Sequence, residues 1–241
     1  MPTETREFYF AKFAQMGGIV EEFIEAREKT SPSAQMRVGP SGDVMAISTH
    51  DQILGGPSGQ IYMGCHFPAQ DDYRLKLQEV SLKIGNVLAS HGVVSRFAVD
   101  FLACRSEPDA EWSLTALEIN LRMGGTTHPY LALQFLTGGQ LDPETGLFLS
   151  PTGHAKYYRA TDNLRSEHYK GLLPDDLIEI LTIHKLHYGH GTESGVLFYL
   201  IGALSEFGKL GLTAIANSRA EVDEVYQHTL DILDRETAYG R

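Results

Sequence analysis

The sequence predicts an α/β (α+β) protein, with a mainly antiparallel sheet flanked by helices. Three observations carry this. Segments 33–48 and 94–123 each alternate apolar and polar residues on both sides of a turn-rich stretch, GPSGD in the first and SEPDAE in the second, which is the signal of a hairpin. Segments 71–90 and 218–236 instead space their apolar residues for one face of a helix. The chain of 241 residues is 42% hydrophobic and 21% charged, enough length and apolar content for a sizeable core.

In order along the chain, residues 5–16 read as a short amphipathic helix ended by Gly17-Gly18, and 19–24 (IVEEFI) as a strand. The hairpin 33–48 follows, then a Gly-rich loop at 55–60 and a strand at 61–67. The helix at 71–90 carries Leu75, Val80, Ile84, Val87 and Leu88 near helical spacing and ends at His91-Gly92. The strands 94–105 and 112–123 form an antiparallel pair, with a helix from about 128 to 137 after them. Beyond Gly138-Gly139 come turns, a strand at 155–160 and a helix at 174–186 with acids in its first turn. Paired strands are expected at 195–204 and 210–218, joined by SEFGK. The helix 218–236 has Ser218 as N-cap and Glu221 at the capping-box position.

A formal charge of -11 argues against a general nucleic-acid or anionic-membrane surface, which needs an excess of Lys and Arg. Two cysteines, Cys65 and Cys104, far apart and without a CxxC, read as reduced thiols in a cytoplasmic protein. No apolar stretch reaches the length of a membrane helix, and the polar start MPTETREFYF lacks a signal-peptide pattern.

The chemistry concentrates in EINLRMGGTTHP, residues 118–129. Residues two apart on a strand share a face, so Glu118, Asn120 and Arg122 line one side. A hairpin centred near residue 109 sets Asp100 opposite Glu118. Two neighbouring carboxylates repel unless a cation offsets them, and Mg²⁺ is the hard, oxygen-seeking choice. Asn120 adds a neutral oxygen, and Arg122 suits bidentate contact with phosphate or carboxylate. Gly124-Gly125 with Thr126, Thr127 and His128 at a helix start reads as an anion site. The competing reading is an exposed sheet face that simply holds salt bridges.

The order strand, Asp100, hairpin, Glu118-Ile-Asn120-Leu-Arg122 resembles the C-terminal lobe of the ATP-grasp ligases, and VEEFI (20–24) looks like the hinge strand of that family. SPSAQMRVGPSGDVMAISTHDQILGGPSGQIYMGCHFPA, EINLRMGGTTHP and GVLFYLIGALSEFGKLGLTAI are similar to the subgroup around the pheganomycin-type peptide ligases. The resemblance runs from about residue 17 to 236. It implies that Asp100, Glu118 and Asn120 hold one or two Mg²⁺ (or Mn²⁺) ions on the β- and γ-phosphates of ATP. Arg122 would steady the γ-phosphate or an acyl phosphate. Glu21 or Glu22, with the Phe23 backbone, would hold the adenine end, and Gln52 is placed for ribose or substrate contact. The implied substrates are ATP, a carboxylate and an amine, either small molecules or peptides.

The same resemblance divides the chain into a partial ATP-grasp domain (1–139: hinge strand and metal-binding lobe) and a C-terminal extension packed on it (140–241). The family's small lobe, with a Gly-rich loop and two lysines for the phosphates, has no counterpart here, and Lys12 lies in the wrong place to replace it. The chain is therefore expected to be incomplete alone, with a homo-oligomer or a partner chain supplying the lobe. A non-catalytic nucleotide-binding or assembly module descended from such a ligase is the alternative.

Elsewhere the patterns carry less. His184, His187 and His190 invite a metal reading, but Gly189 and Gly191 break the helix that would align them. His50, Asp51 and Gln52 are expected at a strand end. Tyr62, His66 and Phe67 suit either a substrate wall or ordinary strand packing.

Overall fold

The computed structural model describes residues 5–57 and 59–238. Residues 1–4 and Ser58 of the predicted 55–60 loop lie outside the described residues. The first half contains α1 (Arg6–Met16), β1 (Glu28–Thr30), β2 (Pro32–Val38), β3 (Val44–Gly55), β4 (Ile61–Phe67), α2 (Asp71–Ser90), β5 (Ser95–Arg105), β6 (Ser113–Asn120) and α3 (Thr127–Thr137). The second half contains β7 (Gln140–Leu141), β8 (Phe148–Leu149), β9 (Ala155–Arg165), α4 (Pro174–Ile183), β10 (Gly195–Tyr199), α5 (Leu204–Phe207), β11 (Lys209–Ala216) and α6 (Arg219–Ala238).

Both predicted hairpins form. The β2–β3 turn is closed by the Gly39 amide donating to the Asp43 carbonyl at 2.8 Å, and Gly42 takes a φ of 85° that favours glycine. Among the described residues the main sheet follows the order β1-β5-β2-β3-β4-β9-β11-β10, with β6 on the outer edge of β5. Each pairing is antiparallel. The halves of the chain join through β4 and β9, where Cys65 faces Ala160. That junction is tight: a Cβ on Gly64, whose φ is 144°, would stand 2.2 Å from the Ala160 carbonyl oxygen.

Helices α2 and α6 cover one face of the sheet, and α3 covers the other. On the first face Met36, Phe97, Val99 and Phe101 pack against Tyr73 and Leu77 of α2, and Leu212 and Ala214 pack with Tyr226, Ile232 and Leu233 of α6. On the second, Tyr130 and Leu133 of α3 close over Cys65, Phe67, Tyr158 and Ile215. Each fully buried Phe or Leu in these layers contributes about 1.5–3 kcal/mol by leaving water.

Several expectations need correction. The buried face of α2 is led by Tyr73, Leu77, Ser81 and Gly85, while Leu75 and Val87 stand in solvent. Its rotation is set by Gly85, where a Cβ would press to 2.5 Å from Val44, so the helix sits close on β3. Helix α1 is present, but none of its residues is buried, and Phe8, Tyr9 and Phe10 are exposed. Residues 19–24 form no strand; Val20 is 90% exposed and the first strand begins at Glu28. A strand needs a ladder partner, and among the described residues no strand pairs with this segment. The apolar run 195–204 stops being strand at Tyr199, because Leu200 turns into the left-handed region (φ 55°) and the chain enters a 3-10 turn and α5. Strand β9, conversely, runs five residues beyond its expected end at residue 160, to Arg165.

Candidate functional site

Strands β5 and β6 pair in the register expected from the hairpin: Asp100 faces Glu118 and Ala98 faces Asn120. The ladder slips by one residue between Asp100 and Phe101, which leaves Leu117 as a bulge beside Glu118. Bulges re-aim side chains at sites of this kind. Asp100 sits among Val99 and Phe101, which point to the α2 core, and its own carboxylate points to the opposite face. Strand β6 differs from it. As the outer strand it is exposed along most of its length, including Leu117 and Ile119.

Two side-chain amides hold Asp100. Gln52 Nε2 donates to Oδ1 at 2.7 Å, and Asn120 Nδ2 donates to Oδ2 at 3.0 Å. Burial pushes the Asp100 carboxyl above the usual carboxylate range, and the charge of Glu118 pushes it further. The Gln52 amide, the Arg122 guanidinium and the Asn120 amide oppose that rise only in part. Arg122 is exposed, and its Nη1 donates to the Met123 carbonyl at 3.5 Å.

The set fits a hard divalent cation. Its donors are oxygens, the charge of Glu118 adds to what burial does to the Asp100 carboxyl, and Asn120 turns its NH₂ to Asp100 and so leaves its carbonyl oxygen for a cation. Among the described residues no group of three or more His, Cys, Asp or Glu is placed to hold a metal, so any cation here relies on the amides as well as the two acids.

The structure thus gathers Asp100, Glu118, Asn120 and Gln52, with Arg122 close enough to act on Asp100 through its charge. It leaves Glu21, Glu22 and Phe23 outside that cluster: the two acids are exposed, and Phe23 lies under the Lys29 ammonium, 4.4 Å from its ring centroid. Gln52 does not sit at a strand end, since β3 continues to Gly55.

The expected anion site at the start of α3 needs correction. Thr126 and Thr127 are buried, and both hydroxyls turn inward to Gln35, accepting from Nε2 and donating to Oε1 at 2.9 Å each. A buried glutamine side chain needs partners, and these two hydroxyls provide them. His128 stacks on Tyr199 with ring centroids 4.3 Å apart.

Other expected candidates serve packing. Phe67 stacks on Tyr158 at 4.9 Å inside the core, and His66 lies on the opposite face. His50 is fully buried, hydrogen-bonded through Nε2 to the Tyr158 hydroxyl at 2.7 Å, and burial pushes its pKa down to about 3, so it is neutral. His184 pairs with Glu236 at 2.9 Å and His190 packs edge-on to Tyr188, so the histidines of 184–190 do not converge. Cys65 is buried and Cys104 half-buried, both free.

Sequence reasoning missed a second polar centre. Lys156, fully buried on β9, binds the Glu193 carboxylate and Asn217 Oδ1. Glu193 also accepts from Thr152 at 2.6 Å and Ser150 at 3.3 Å. Only the lysine within the alternating AKYYRA segment could have signalled it, since a charged residue there must find a buried partner or face water.

The sequence matches two family profiles. One is described as IQCH-like, ATP-grasp, over residues 4–144, and the other as the PGM1 C-terminal domain, over 176–229. An L-propargylglycine–L-glutamate ligase of Streptantibioticus cattleyicolor is 34% identical over 217 residues, covering 90% of this chain and 43% of that protein. The chain therefore spans less than half the length of that relative. Among solved structures, a biotin carboxylase from Campylobacter jejuni matches with a TM-score of 0.59 at 12% identity, over 93% of this chain and 51% of that one. N5-carboxyaminoimidazole ribonucleotide synthetase from Thermus thermophilus matches with a TM-score of 0.55 at 16% identity, over 96% and 57%. At such identities these likenesses speak for the fold.

Proposed function

Because the chain belongs to the IQCH-like ATP-grasp family, we propose that it is the cation- and phosphate-binding lobe of an ATP- and Mg²⁺-dependent carboxylate–amine ligase, working through an acyl phosphate. The observation that carries this reading is the register pairing of Asp100 with Glu118, flanked by the Asn120 and Gln52 amides and, among the described residues, by no lysine or arginine in a salt bridge with either acid. Similarity to a ligase that joins two amino acids supports the reaction class.

In this reading Asp100, Glu118 and Asn120 hold Mg²⁺, whose contribution when bound is to neutralise charge on the transferring phosphoryl group. Arg122, exposed in the turn just after β6, would pair with the phosphate being transferred. A substrate carboxylate oxygen attacks the γ-phosphorus and ADP leaves. The amine nitrogen then attacks the acyl carbon, inorganic phosphate leaves and the amine gives up a proton. No protein nucleophile is needed, so positioning and charge carry the rate. Glu21 or Glu22 with the Phe23 backbone is proposed to meet the adenine, and the exposed Val20 and Phe23 provide apolar surface on which a further lobe, from a partner chain or a second copy, would close. The divide between the catalytic lobe and its extension is proposed between α3 and β7.

Asp100→Asn and Glu118→Gln are expected to lower the affinity for ATP in the presence of Mg²⁺ by at least about 100-fold, with unchanged circular dichroism. Wild-type Mg²⁺–ATP affinity in both variants would remove the centre. A second reading, a nucleotide-binding module without catalysis, is favoured by the inward turn of the Thr126 and Thr127 hydroxyls, the first accepting from Gln35 and the second donating to it, which takes both away from a phosphate. ADP release with ATP, Mg²⁺ and a panel of acids and amines separates the two.

A further inference from the structure

We propose that Gln52 is a positioning residue of the cation centre, holding the Asp100 carboxylate in its ligating orientation; the inference rests on the cation reading of this face given above.

Asp100 and Gln52 are not neighbours in the sheet. Asp100 is on β5 and Gln52 on β3, with β2 between them. Across β2, Asp100 faces Ser33, and Ser33 in turn faces His50, two residues before Gln52 on the same face of β3. The Gln52 side chain therefore reaches diagonally past the start of β2 to arrive 2.7 Å from Asp100 Oδ1. Its backbone is fixed at that point, since the Gln52 amide N–H donates to the Ser31 carbonyl at 3.0 Å. Glutamine has the length for this span, and Ser33 is small enough not to obstruct it.

The consequence lies in how Asp100 is held. Asn120 Nδ2 grips Oδ2 from the β6 side at 3.0 Å, and Gln52 Nε2 grips Oδ1 from the β3 side. Rotating the carboxylate would break both bonds at once. Each carboxylate oxygen accepts about two hydrogen bonds or metal contacts, so each keeps one direction free for a cation. Without Gln52, the half-buried carboxylate would gain by swinging away from Glu118. Partners that orient a metal-binding carboxylate typically change metal affinity by about 10–100-fold when removed. The same geometry argues against a ribose contact through the Gln52 NH₂, which is already directed at Asp100.

The test is a titration of the whole chain with Mn²⁺, following free Mn²⁺ by electron paramagnetic resonance, in wild type, Gln52→Met and Gln52→Asn. Met keeps the length without the donor, and Asn draws the amide back by one methylene. Both are expected to weaken Mn²⁺ binding by about tenfold while leaving the thermal midpoint and the affinity for ATP in EDTA unchanged. Wild-type Mn²⁺ affinity in both variants overturns the inference. Equal losses of ATP affinity with and without metal also overturn it, since they would make Gln52 a nucleotide contact. Asp100→Asn separates the two levels. If it abolishes Mn²⁺ binding while both Gln52 variants keep wild-type affinity, the positioning role alone fails; if it leaves Mn²⁺ binding intact, the cation centre itself fails.

Discussion

Two polar centres sit in the same sheet and are built in opposite ways. At Lys156, a fully buried ammonium meets a carboxylate and an amide oxygen, so its charge is balanced inside the protein. At Asp100, a half-buried carboxylate faces a second carboxylate, and its hydrogen bonds among the described residues come from neutral amides. The first arrangement is self-sufficient and ties β9 to the 189–195 turn and to the start of α6. In the second, burial and the Glu118 charge raise the Asp100 carboxyl, Gln52, Arg122 and Asn120 oppose that rise, and a cation is proposed to complete the balance. The contrast teaches that charge balance, rather than burial, separates the structural clamp from the centre proposed above to bind a cation.

The sharpest way to break this comparison is Lys156→Met. It strands Asn217 Oδ1 and removes the counter-charge of Glu193, so the thermal midpoint should fall by roughly 5–10 °C with Mn²⁺ affinity unchanged, as calorimetry and titration would show. A loss of Mn²⁺ affinity in a folded Lys156→Met protein would mean that the centres are not independent.

Acid unfolding comes next. The Lys156 ammonium and the Thr152 hydroxyl hold the Glu193 carboxyl down at about 2, below its ordinary 4.5. A lowered folded value means the unfolded chain takes up the proton first, so this stabilisation is complete above pH 4.5 and is lost as pH falls towards 2. Urea midpoints measured across that window should drop in wild type and drop less in Lys156→Met.

The smallest effect is expected at the other centre, with the opposite sign. The Asp100 carboxyl is raised, so its ionised form costs stability above its folded pKa, and acidification relieves that cost. Glu118→Gln removes the like charge and should stabilise the protein at pH 7 by less than about 1 kcal/mol, because Glu118 is exposed. The gain should vanish as Asp100 protonates in both proteins. A destabilised Glu118→Gln protein at neutral pH would show that Glu118 makes a favourable contact rather than a repulsive one.

Local rules read much of this from the sequence alone. Strands β5 and β6 are joined by a short turn, so the facing of Asp100 and Glu118 followed from counting along a hairpin, and the two-residue period placed Asn120 beside them. Helices α2 and α6 followed from apolar spacing and capping, with Glu221 N–H meeting Ser218 Oγ at 3.2 Å as the N-cap pattern requires. Only the tertiary structure decided the rest. Gln52 reaches Asp100 because β2 lies between their strands, and strand order is a non-local property. Thr126 and Thr127 turn inward because a glutamine 91 and 92 residues away, respectively, is buried beneath them. Lys156 finds Glu193 across 37 residues, and segment 19–24 forms no strand although its residues alone suggest one. Periodicity and turn chemistry act over a few residues, and so fix which side of a strand a group faces. Which distant group meets it there depends on how the strands are ordered.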